Sequence, residues 1–122
     1  MKSISITYIN TLTLVNKHIK ITSVPYNTSL GRNTWKTLIG SQASLQLHCN
    51  QEGFNAMNTY SPLSKARIGI ISNEQNDCSS CDSRIGFGTG GKPDSNTCGN
   101  EATFSPDNGE KHIKAIGYIM VQ

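Results

Sequence analysis

The sequence predicts a small α+β domain, mostly β, held by disulfides around a long, irregular, glycine-rich loop. Three observations carry that expectation. Aliphatic and β-branched residues alternate with polar ones near both ends of the chain. Four cysteines stand in only 122 residues. Finally, Asn73 to Glu101 (NEQNDCSSCDSRIGFGTGGKPDSNTCGNE) holds three of those four cysteines, with Ile85 and Phe87 almost its only apolar residues. A segment this polar cannot bury a face of its own, so cross-links, bound cations or both must give it shape.

The length suits one domain, 1–122, divided into N-terminal strands with a connecting segment (1–48) and a cysteine-rich remainder (49–122). Hydrophobic residues make up 35% and charged residues 16%, the polar but weakly charged profile of a secreted, extracellular module. The net charge of +3 is scattered, with no basic cluster, which argues against a nucleic-acid partner. No stretch approaches a membrane span. Met1-Lys2 and the apolar run Ile4 to Val15 mimic a signal peptide, but Ser5, Thr7, Asn10, Thr11 and Thr13 break the run and no small-residue cleavage site follows.

In order along the chain, Ile4, Ile6 and Tyr8, then Leu12 and Leu14, then Ile19 and Ile21 predict two or three short strands with a turn at Asn16-Lys17. Val24 to Asn33 reads as a loop, and Asn27-Thr28-Ser29 is an N-glycosylation acceptor. Trp35, Leu38 and Ile39 are spaced for a short helix or core-facing turn, with Trp35 in the core. Ser41 to Cys49 is the strongest helix candidate, capped by Ser41 or Ser44, and Gly53-Phe54-Asn55 ends that segment. Tyr60-Ser61-Pro62 marks a turn. Ala66 to Ile71 is the strongest core strand, and Ile113 to Val121 the second. These two strands are expected to pair and to flank the polar centre, with Ser105 to Gly109 as a tight turn before the second.

Catalysis is not expected. None of His18, His48 and His112 stands in a recognised nucleophile arrangement with a serine, cysteine or carboxylate. The run Gly86 to Gly91 looks superficially like a dinucleotide fingerprint, but it opens no helix and Pro93 follows at once. Four cysteines favour two disulfides in an oxidising compartment, among three connectivities. A zinc site is the alternative, although only Cys78 and Cys81 have metal-ligand spacing. A redox pair is disfavoured because no strand-then-helix pattern surrounds them.

The central loop offers oxygen ligands: Asp77, Asp82, Asp94, Asn96, Asn100 and Glu101. Calcium takes six to eight such oxygens in flexible geometry. Asp107-Asn108-Gly109-Glu110 could extend this set or build a second site. The competing reading is that acidic loop residues simply face water, since no EF-hand spacing exists.

From Cys49 onward the order of features resembles the C-terminal half of the intelectin (X-type lectin) family, itself fibrinogen-related. A lone cysteine precedes a core strand ending in Asn73-Glu74. Cys78 and Cys81 follow, then the glycine run Ile85 to Gly91, the pair Pro93-Asp94, Cys98-Gly99-Asn100, and a terminal apolar strand. The likeness covers about the last 75 residues. It implies calcium and sugar ligands at Asp82, Asp94 and Asn100, with Glu101 compensating for the amide that replaces a family carboxylate at Asn100. Ser83-Arg84 stand where the family has a histidine-containing stretch. Aromatic candidates for stacking on a sugar are Phe104, Tyr60 and Phe87. The resemblance also implies the pairs Cys49–Cys81 and Cys78–Cys98. The expectation is therefore a secreted, Ca2+-dependent carbohydrate-binding module with a glycan or glycoprotein partner, for which multivalency would favour a homo-oligomer. The alternative is a structural or adhesive extracellular matrix domain that binds no sugar.

Overall fold

The computed structural model describes residues 2–6, 30–59, 64–91 and 98–119, of which 2–6 and 119 by backbone alone. The chain runs β1 (Lys2–Ile6), α1 (Arg32–Ile39), β2 (His48–Met57), β3 (Lys65–Asn73), β4 (Ser83–Phe87), β5 (Cys98–Ala102) and β6 (Lys111–Ile119). Strands β2 to β6 pair antiparallel, each with its successor, and β1 adds in parallel at the β6 edge, giving the order β1-β6-β5-β4-β3-β2. The fold is thus mostly β with one short helix among the described residues, as the composition implies.

Helix α1 forms where Trp35, Leu38 and Ile39 predicted it. Gly31 at its start supplies no side-chain cap. A carboxylate from β2 takes that role: Glu52 accepts hydrogen bonds from the Leu30 and Gly31 N–H groups at 3.2 and 2.9 Å and from the Trp35 indole at 2.8 Å. A negative charge at this end also complements the helix dipole. Gly40, with φ of 100°, stops the helix one residue after Ile39.

The second predicted helix, Ser41 to Cys49, does not form. That stretch is a turn followed by extended chain leading into β2. The Asn100 side chain explains why, because it imitates a ladder partner: its amide donates to Ser44 O and its oxygen accepts from Ser44 N–H, both at 2.8 Å. Leu45 and Gln46 are then fully buried. Gly53-Phe54-Asn55 does not end a segment either; it lies within β2.

Two apolar clusters sandwich the sheet. One joins Trp35 and Ile39 of α1 to Leu45, Ile70, Ile85 and Ala115. The other gathers Ala56, Ala66, Ile71 and Cys81, with Cys49 and Cys78 packed against it. Ile70 and Ile71 are neighbours in β3 but fall in different clusters, as side-chain alternation requires. The two strongest sequence strands do not pair. β3 lies between β2 and β4, whereas β6 lies between β5 and β1. The segment between them, expected as an irregular loop, instead supplies β4 and β5, the centre of the sheet.

Four glycines make that centre possible. Gly53, Gly69, Gly86 and Gly99 stand in register across β2, β3, β4 and β5. A Cβ on Gly69 would lie 2.2 Å from the Ile85 carbonyl oxygen, and one on Gly86 2.3 Å from that of Ile68. The glycine-rich composition therefore serves close strand approach rather than loop flexibility.

Residues 7–29, 60–63, 92–97 and 120–122 lie outside the described residues, and with them the predicted strands after Ile6, the Asn27 acceptor and the Tyr60-Ser61-Pro62 turn.

Candidate functional site

The expected ligand residues do not converge. Asn100 and Glu101 are adjacent in β5, so their side chains leave opposite faces of the sheet. Asn100 is fully buried and committed to Ser44, with a further bond from its amide to Arg84 O at 3.1 Å. Glu101 is buried too, and its Oε2 lies 2.5 Å from Nδ1 of the half-exposed His112. It stands in register with the buried Arg84, an opposite charge on the neighbouring strand. Neither residue shares a site with Asp82. Asp94 and Tyr60 lie outside the described residues. Phe87 packs against the helix-side core.

Asp77 and Asp107, two further oxygen candidates, are also occupied. The Asp77 carboxylate folds its own loop, accepting from Ser79 N–H at 2.8 Å and from Asn73 Nδ2 at 3.1 Å. Hydrogen bonds from the Ser79 side chain and backbone hold its pKa below the usual carboxylate range. Asp107 accepts from Lys36 Nζ at 2.6 Å, Arg32 Nη2 at 2.7 Å and Leu45 N–H at 3.0 Å. Burial pushes its carboxyl up, but the bonds from Lys36, Leu45 and Arg32 outweigh that, and the net pKa is lowered.

What the fold does assemble lies around Gln46. Its amide nitrogen donates to Glu74 Oε2 at 2.5 Å and to Phe104 O at 3.0 Å. Its oxygen accepts from Asp82 N–H at 3.0 Å and from Ser83 Oγ at 3.2 Å. One buried side chain thus fastens the end of β3, the start of β4 and the β5–β6 turn. The Asp82 carboxyl comes within hydrogen-bonding reach of Glu74. Its pKa is raised, first by burial and then by the Glu74 charge. Phe104, whose backbone carbonyl accepts from the same Gln46 amide, is 65% exposed. Phe104 and Ser105 both adopt left-handed backbone, with φ of 54° and 59°. That conformation is uncommon for a bulky residue and is associated with functional sites. Leu47, next to Gln46, is exposed as well.

Sequence reasoning singled out Asp82 and Phe104 but not Gln46, nor the approach of Glu74 to Asp82. No local pattern marks an isolated glutamine. Glu74 and Asp82 do stand on either side of the Cys78–Cys81 pair, four residues before it and one after, a spacing that marks the two ends of one loop.

The cysteines pair differently from the expectation. Cys49 is bonded to Cys78, while Cys81 and Cys98 stand outside that disulfide as thiols, which replaces both Cys49–Cys81 and Cys78–Cys98. The reason is a bulge. The β2–β3 register shifts between His48 and Gln51, and Cys49 and Asn50 take φ of 65° and 49°. Such a bulge re-aims side chains, and here Cys49 meets the Asn73–Asp82 loop. Burial pushes the Cys81 thiol up to about 12. Cys98 stands in β5, in register with Phe87. Among the described residues, no cluster of three or more His, Cys, Asp or Glu side chains is placed to hold a metal ion, and no helix is long and apolar enough to cross a membrane.

No family model, curated protein or solved structure matches this chain.

Proposed function

We propose that the protein is an extracellular carbohydrate-binding module that acts through Ca2+, with Glu74 and Asp82 as the cation ligands and Phe104 as the sugar platform. The observation that carries this reading is the abutment of two half-buried carboxylates at a Gln46 amide that also holds the backbone of the exposed Phe104. Two carboxylates this close cannot both ionise comfortably without a proton or a cation between them. Calcium accepts an incomplete protein cage and fills its remaining positions with water or ligand oxygens. Vicinal sugar hydroxyls are suitable donors. Phe104 offers an apolar face to a pyranose ring at that position, and Gln46 fixes the carboxylates in place through its amide.

The ligand set differs from the one the intelectin likeness implies, because Asn100 and Glu101 support the fold instead. Calorimetric titration with Ca2+ checks the cation: binding is expected in the intact protein and is lost in Asp82→Asn. A glycan array read with Ca2+ and with EDTA checks the sugar, with the signal lost on chelation and in Phe104→Ala. Absence of any heat of Ca2+ binding removes the proposal.

A second reading is supported by the same commitment of Asn100, Glu101 and Asp107 to internal contacts: a structural or adhesive extracellular domain. It predicts a melting temperature indifferent to Ca2+, since only a ligand of the native state raises it.

A further inference from the structure

Three of the four cysteines meet at one point. Cys49 Sγ is bonded to Cys78 and lies 3.7 Å from the Sγ of Cys81. Shortening that gap to a bond of about 2.05 Å asks for a sulfur displacement under about 2 Å. Both competitors for Cys49 are anchored by the connection between β2 and β3. Thr59 N–H donates to Cys78 O at 3.0 Å, and Ser64 N–H donates to Cys81 O at 3.1 Å. They also belong to one cluster, in which Cys81 is fully buried while Cys49 and Cys78 pack against it half-buried.

We infer that Cys49 is a shared partner and that the disulfide migrates between Cys78 and Cys81 within the folded protein. The step is an internal exchange. The Cys81 sulfur, as thiolate, attacks Cys49 Sγ; the Cys49–Cys81 bond forms as the Cys49–Cys78 bond breaks. The electron pair leaves on Cys78, which takes up the proton that Cys81 gave up. One disulfide and one thiol exist before and after, so no external oxidant or reductant is consumed.

The two isomers present different surfaces. With Cys49–Cys78 closed, the spare thiol of this cluster is the buried Cys81 and is shielded from reagents. With Cys49–Cys81 closed, the bridge itself is buried and the spare thiol is Cys78, half-exposed on the polar loop. The exchange therefore acts as a switch that presents or withdraws a reactive thiol. It stands independently of any sugar or calcium binding.

Trapping tests it. The native, unreduced protein is held with excess iodoacetamide for hours, digested without reduction, and its peptides are mapped. The expected result is a carboxamidomethyl group accumulating on Cys78, matched by a linked Cys49–Cys81 peptide, with the Cys78 adduct reduced to background in Cys81→Ser. Label confined to Cys98 and Cys81 overturns the inference. As a second measurement, Cys78→Ser, purified under air and checked for retained sheet by circular dichroism, is expected to carry Cys49 and Cys81 as one disulfide. If both remain thiols in that folded variant, the inference also falls. If the variant does not fold, trapping on the natural chain decides.

Discussion

Asp107 and Asp82 are both aspartates beside turns, yet their environments push their acidities in opposite directions. At Asp107 the bonds from Lys36, the Leu45 N–H and Arg32 overcome burial, so the folded-state pKa is depressed. A depressed carboxyl contributes stability above its unfolded value of about 3.9 and loses it as pH falls through the folded one. Acid melts of the natural chain are expected to steepen in that window, and Asp107→Asn should flatten the profile there while lowering stability at neutral pH. At Asp82 burial and the Glu74 charge raise the pKa. Its contribution is present below about 3.9 and is lost as pH rises through the raised folded value. Asp82→Asn should therefore stabilise the metal-free protein at neutral pH, measured as a higher Tm in EDTA. A Tm that falls instead would mean that the two carboxylates do not repel one another in the folded state.

Individual strands form where composition alone implies a loop. A run such as Ile85-Gly86-Phe87-Gly88-Thr89-Gly90-Gly91 looks like flexible loop by composition, because glycine normally weakens a strand. Here Gly86 is required, since a Cβ would collide with Ile68 O and lie 2.7 Å from the Gly69 Cα, and its φ is 152°. Gly86→Ala should cost about 3 kcal/mol or more, well beyond an ordinary substitution. Gly109→Ala is the control. Its φ is 71° but open space surrounds it, so only backbone strain of about 1–2 kcal/mol is expected. Urea denaturation of the two variants separates them. The same locality of sequence reasoning misplaced the second helix. Leu45 and His48 stand three apart, as on one helix face, but the Asn100 amide, 56 residues from Ser44, claims the backbone there. By contrast, α1 was legible because Trp35 and Ile39 lie one turn apart and face one core. The alternation in β6 was legible too, with Ala115 buried between exposed Lys114 and Ile116.

At the scale of the whole molecule, the polar ribbon from Asn73 to Glu101 is clamped, by sheet pairing as well as by sulfur. β4 and β5 turn Ser83–Phe87 and Cys98–Glu101 of that ribbon into central strands, and the Cys49–Cys78 bridge ties down the Asn73–Asp82 loop. Which cysteines meet was not legible, because the bulge at Cys49-Asn50 that aims Cys49 is a property of β2–β3 pairing and not of spacing. The Cys49–Cys78 bridge closes a sequence separation of 29 residues. Closing a loop of this order typically stabilises by about 2–4 kcal/mol through the unfolded chain. Domains retain only about 5–15 kcal/mol in total, so this is a sizeable share. Cys49→Ser removes the bridge and also the shared partner of both competing cysteines, so no disulfide at this cluster can tether the loop to β2. Its Tm should fall by about 10 °C. Dithiothreitol should lower the Tm of the natural chain by a similar amount and leave Cys49→Ser unchanged. Cys78→Ser should lose less than Cys49→Ser, because Cys81 remains 3.7 Å from Cys49 to replace the missing sulfur. Equal losses in the two variants would show that Cys81 contributes no bond of its own and that the loop is tethered at Cys78 alone.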